Sequence, residues 1–205
     1  MSDTSDLSRS LVESICADEL KSLAGEYAEL GIDQLIKEGV LKDIPVVNTV
    51  MALAKVGLTV RDHLLINKLM QFLGPLHDLD PKVRRDVVAR LENDPNYGRK
   101  VGEHLIQLLD RIDTHKKPAM LARTFRAYAQ GEIDAELFHR LNHAVVRTPW
   151  FEVPDIRKFH DKAERLRLGS ATKTDLFLAG LATAAFEPTP VCEAFLELEL
   201  DRVGA

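Results

Sequence analysis

The chain has 205 residues, 45% of them hydrophobic, and a formal net charge of -5. That length and apolar content support a buried core and argue against disorder. Lys and Arg interspersed with Asp and Glu leave no basic face that would argue for DNA or RNA. Cys16 and Cys192 lie at opposite ends without CxxC spacing, and MSDTSDLSRSLVESICADEL lacks the basic-then-apolar layout of a signal peptide. Both features imply a cytoplasmic protein with free thiols.

The first stretch, SDLSRSLVESICADELKSLAGEYAELGIDQLIKEGVL, reads as helical and acidic, with Gly25, Gly31 and Gly39 as breaks. Leu11, Ile15, Leu20, Leu23, Leu30 and Leu35 are spaced for packing. Next comes KDIPVVNTVMALAKVGLTVRD, an apolar run between charges. From Ile44 to Val60 it falls short of the roughly twenty residues a spanning helix needs, and Lys55 sits near its middle. A helix starting at Pro45 gathers Asn48, Ala52, Lys55, Thr59 and Asp62 into one thin polar-or-small stripe. Val46, Val47, Val50, Met51, Leu53, Ala54, Leu58 and Val60 surround it. This predicts the central helix of the fold, wrapped on its other faces, with insertion of the 44–73 helices into a bilayer as the alternative. The continuation LTVRDHLLINKLMQFLGPL is amphipathic, with Leu64, Leu65, Leu69, Phe72 and Leu73 inward.

Punctuation is clear further on. Asp80-Pro81 and Asp94-Pro95 each read as an N-cap followed by proline at the first helical position. The first helix places Val83, Val87, Val88 and Leu91 on one face; the second places Val101, Leu105, Leu108, Leu109 and Ile112. Pro118 opens a helix carrying Met120, Leu121, Phe125 and Tyr128, which Gly131 ends. Asp134 caps another with Leu137, Phe138, Leu141 and Val145 as its buried stripe. At TPWFEVPDIRKFHDKAERL the texture changes. The tail then predicts a helix from Thr174 to about Leu181, a short strand at 182–186, and a helix begun by Thr189-Pro190.

Candidate sites are few. His139 and His143, four apart on one helix face, are the candidate metal pair, with Glu136, His160 and Asp161 as further donors. Arg140 follows His139, so the general base of an HExxH site is missing. Surface or cap histidines explain the pair more simply. Asp110 and Asp113 lie among Arg111, Lys116 and Lys117 and read as a solvated mixed-charge face. Arg84 and Arg85 offer cations for a partner, diluted by Asp86 and Glu92. Trp150-Phe151, between Pro149 and Pro154, is the candidate aromatic anchor. No GxxxxGK[ST], GxGxxG or GxSxG motif occurs, and no cofactor is implied.

Three resemblances add to this. The residues Leu41 to Pro45, Lys55, Gly57, Arg61 and Asp62 resemble a small group of bacterial helical proteins with an LKDIP…KxG…RD segment. The short helices turning at GEIDAELFHRL are similar to the tellurite-resistance TerB helical domains, without that family's acidic ADG motif. The tail resembles the end of a winged-helix module, with Cys192 in place of glycine and no basic wing. What the first two imply is a bacterial helical protein of stress response or phage defence.

The sequence therefore predicts a mainly α-helical bundle over residues 5–148 with a C-terminal helical or winged-helix-like extension over 149–205. The function it supports is non-enzymatic binding or regulation through a protein partner or self-association. A membrane-acting effector and a metalloprotein centred on His139 and His143 are the alternatives.

Overall fold

The structure is a computed structural model, and it describes residues 2–18, 34, 40–54, 57–93 and 100–203. The acidic stretch with Leu20, Leu23, Leu30, Leu35, Gly25, Gly31 and Gly39, together with Lys55 and the Asp94-Pro95 cap, lies outside the described residues. Among the described residues the chain is α-helical without strands, and its contacts group residues 1–111 and 112–205 into two compact units. The texture of the sequence changes at 149 instead, because residues 112–148 share the helical period of the upstream chain while packing against downstream helices.

The first unit contains α1 (Ser2–Cys16), α2 (Pro45–Leu53), α3 (Val60–Leu73), α4 (Pro81–Glu92) and α5 (Val101–Arg111). Its hub is α1, which packs on α2, α4 and α5 and buries Leu11 and Ile15 completely. The approach to α5 is close: a Cβ on Gly102 would lie 2.1 Å from the Ser8 carbonyl oxygen, so only glycine fits. Ser8, Ser10 and Ser14 are buried on α1. Small side chains there let neighbouring backbones come near. The Ser14 hydroxyl accepts the Val46 N–H at 3.0 Å and so supplies a partner to the first turn of α2, whose N-cap Ile44 has none to give.

The apolar run is not one central helix. Helix α2 is nine residues long and buries Val46, Val47 and Val50, while Met51 is half-buried and Leu53 exposed. Gly57 then takes φ +106, and Leu58 lies half-buried outside any helix. Thr59 and Asp62, read above as part of one stripe with Asn48, form the capping box of α3. The Asp62 carboxylate accepts the Thr59 N–H at 2.8 Å, and Thr59 Oγ1 accepts the Asp62 N–H at 3.2 Å. That reciprocal closure fixes a helix start where the hydropathy pattern suggests continuation. On α3, Ile66, Leu69, Met70, Phe72 and Leu73 are buried, whereas Leu64 is exposed. Among the described residues no helix is long and apolar enough to cross a membrane.

The second unit contains α6 (Lys117–Gln130), α7 (Ala135–Arg147), α8 (Asp155–His160), α9 (Lys162–Arg165), α10 (Ser170–Leu178) and α11 (Pro190–Glu197). Helix α7 packs on α6 and α11, and α8 packs on α9, α10 and α11. Phe125, Phe138, Phe159 and Phe195 are fully buried. The signals expected at helix ends hold. Asp80 accepts the Lys82 N–H, Asp134 the Leu137 N–H, and Thr189 the Cys192 N–H, and Gly131 closes α6 at φ +76. At 182–186 there is a tight turn rather than a strand, pinned by an isolated bridge between Ala182 and Pro188. A single bridge across so short a turn is too little pairing to make a ladder. Phe186 holds φ +56 in that turn.

Gly102→Ala should lower the urea-unfolding free energy of residues 1–111 by about 2–3 kcal/mol, the cost of overpacking a closed contact. Gly74→Ala, where a Cβ meets nothing, should leave it level or raise it by about 0.5 kcal/mol.

Candidate functional site

The sequence-predicted residues fall into separate environments. Arg84 is fully buried, and its Nη1 donates to the Ile15 carbonyl at 2.8 Å in the last turn of α1. Its Nε and Nη2 find no hydrogen-bond partner, and burial lowers its pKa from the ordinary guanidinium value. Exposed Arg85 reaches the Cys16 carbonyl at 3.4 Å and Asp18 at 3.5 Å. The pair thus closes the C-terminus of α1, where the helix dipole and orphan carbonyls favour cations. Arg84 is a structural cap and is not available to a partner at the surface.

The two histidines lie in different environments. His139 is half-buried with its ring edge-on to Phe138 at 5.5 Å, and His143 is exposed. Glu136 pairs with Arg140 at 2.9 Å, and Asp161 caps α9 by accepting the Ala163 and Glu164 N–H groups. Among the described residues no group of three or more His, Cys, Asp or Glu side chains is placed to hold a metal ion. The expected mixed-charge face around Asp110 and Asp113 is also divided. Asp110 faces Arg61 at 3.7 Å, and Asp113 accepts from the buried Lys117 ammonium at 2.8 Å. Neither carboxylate stands beside another in the manner of an acid/base pair. Cys192 is buried and its thiol is pushed up to about 12 by desolvation, and burial also raises Cys16. Neither thiol has the depressed pKa of a nucleophile.

The Trp150-Phe151 pair is split by its 3-10 turn, Trp150–Glu152. Trp150 is half-buried under the Lys116 ammonium, 5.4 Å from its ring centroid, and is held in place. Phe151 is 77% exposed. Glu152 in this turn is buried with its Oε2 left without a hydrogen-bond partner, and desolvation, then the Asp175 carboxylate, raise its pKa. On α10, Phe177 and Leu178 are also exposed. Leu166 and Phe186 are exposed elsewhere in the same unit. Phe177, Leu178 and Phe186 were missed because in the sequence they lie within ordinary apolar patterning.

Two ion pairs brace the frame around this surface. Arg157 makes paired hydrogen bonds to Asp201 at 2.8 and 3.0 Å, with the Asp201 side chain almost fully buried, and Arg165 pairs with Glu187 at 2.6 Å. No family model matches the chain, and no curated protein or solved structure is similar to it.

Arg84→Ala should cost about 2–4 kcal/mol in denaturant titrations, from the lost cap and the cavity. Arg85→Ala should cost under about 0.5 kcal/mol. Glu152 titrates higher folded than unfolded, so its favourable contribution is complete below its unfolded pKa and is lost as pH rises through the folded one. Glu152→Gln should consequently raise Tm at pH 7 and leave it unchanged near pH 4 in parallel melts.

Proposed function

We propose that this chain is a non-enzymatic binding or regulatory protein that works through protein-protein contacts, and that Phe151 is an anchor of the contact surface. The observation that carries this reading is an aromatic side chain left 77% exposed on a short 3-10 turn bounded by Pro149 and Pro154. A large exposed aromatic offers a partner much apolar area while only a few side-chain torsions have to be fixed, which suits it to an interface hot spot. Phe177 and Leu178 on α10 add further exposed apolar side chains to the same unit. Trp150 supports the anchor from within through its cation–π contact with Lys116. Arg84 takes no part in this surface because it is spent on α1.

Self-association and a separate protein partner both fit this surface. A bacterial setting in stress response or phage defence is part of the proposal and rests on the LKDIP…RD and TerB resemblances; a cytoplasmic setting is part of it too and rests on the two free cysteines.

Phe151→Asp should leave the melting temperature within a degree or so, since exposed substitutions rarely move stability by more than about 0.5 kcal/mol. It should weaken binding by about tenfold or more, the scale of a truncated hot spot. Sedimentation velocity over a concentration series reads self-association. Calorimetric titration of a purified, identified partner reads hetero-association. Unchanged affinity of the variant in the assay where the native chain binds would reject this surface.

A further inference from the structure

A second surface lies within the first unit. Helices α3 and α5 form the walls of a cleft of about 640 Å³, and the N-terminal half of α1 closes it. Its α3 wall carries Arg61, Leu64, Leu65 and Lys68, which recur at helical steps of three and four along one face. Its α5 wall carries Ile106, Gln107, Asp110 and Arg111, and α1 contributes Thr4 and Leu7. The apolar members come from three helices, and Leu64 among them stays 58% exposed. The volume falls in the range of small-molecule sites.

Charge selects the ligand. The chain as a whole is net negative, yet this cleft gathers three cations, Arg61, Lys68 and Arg111, against the single carboxylate of Asp110. The Arg61–Asp110 separation of 3.7 Å between two well-exposed side chains is a loose pair that an incoming anion can replace. Lys68 donates to the Leu109 carbonyl at 3.0 Å, which fixes its ammonium at the α5 wall. An apolar floor with a cationic edge is complementary to a molecule that has an alkyl chain and an anionic head.

We propose that the α1–α3–α5 cleft binds a single-chain anionic amphiphile, with a carboxylate or phosphate head against Arg61 and Arg111 and the alkyl chain along Leu7, Leu64, Leu65 and Ile106. The site belongs to residues 1–111 and is independent of the Phe151 surface, so each reading can fail without the other.

The probes are decanoate and decanol, below micelle formation, titrated into the full chain by calorimetry. Decanoate should bind saturably at one site per chain, and decanol about tenfold more weakly, because it lacks the charge that the arginines pair with. Arg61→Glu combined with Arg111→Glu should bring decanoate down to the level of decanol. Leu64→Asp, at an exposed position that leaves the melting temperature in place, should weaken both by about tenfold or more. Absence of saturable decanoate binding, equal affinity for the acid and the alcohol, or unchanged binding by Leu64→Asp in a folded chain would each overturn the assignment. Binding of an acidic amphipathic peptide without decanoate binding would overturn it as well, since it would identify a protein groove.

Discussion

The near contact of α1 with α5 governs the first unit. With no side chain at Gly102, the α5 backbone comes against the Ser8 carbonyl, at a separation that leaves no room for a Cβ. That spacing lets one helix, α1, reach α2, α4 and α5 together. Everything else in the unit follows from satisfying a helix in that position. Its Ser14 hydroxyl is drawn into the start of α2, and its last carbonyls are taken by Arg84 and Arg85 from α4. A buried guanidinium is costly unless it is paired. Arg84 is accordingly kept for a backbone carbonyl that would otherwise be orphaned, and its remaining N–H groups are the residual cost of that solution.

The second unit relies on different physics. Its interior is aromatic, with four fully buried phenylalanines, and its short helices are tied at their ends by charge. Arg157 on Asp201, Arg165 on Glu187 and Arg123 on the Glu199 carbonyl all span elements far apart in sequence. Short helices gain little from their own hydrogen bonds and depend on such tertiary fastening. In the turn Trp150–Glu152, Lys116 covers Trp150 while Phe151 stays exposed, so that one aromatic of the adjacent pair is retained and the other presented.

Two apolar surfaces therefore remain open for different reasons. Around Phe151 the exposure comes from a turn that faces one ring inward and the next outward. In the α1–α3–α5 cleft it comes from three helices that converge without filling the space between them, and the rim carries cations because α5 ends there with Arg111 beside the start of α3. Neither arrangement resembles the membrane-spanning helix that the apolar run first suggests. That run is divided at Gly57 and Thr59, and each half buries its own face within the unit.

The sequence by itself determined the helical class, most helix ends and most of the core. Asp80-Pro81, Asp134, Thr189-Pro190 and Gly131 act within a few residues of themselves, so their effect is legible locally. The stripes from Met120 to Tyr128 and from Val87 to Leu91 follow a period that any partner surface would bury. The Thr59–Asp62 capping box was equally local, but its signal sat inside an apolar run whose hydropathy outweighed it. Only the tertiary structure decided which surfaces were left over. Burial of Arg84, exposure of Leu64 and the different fates of Trp150 and Phe151 depend on what packs against each side chain from sequence-distant elements. Ile15 lies 69 positions from Arg84, and no periodicity in either helix encodes that meeting.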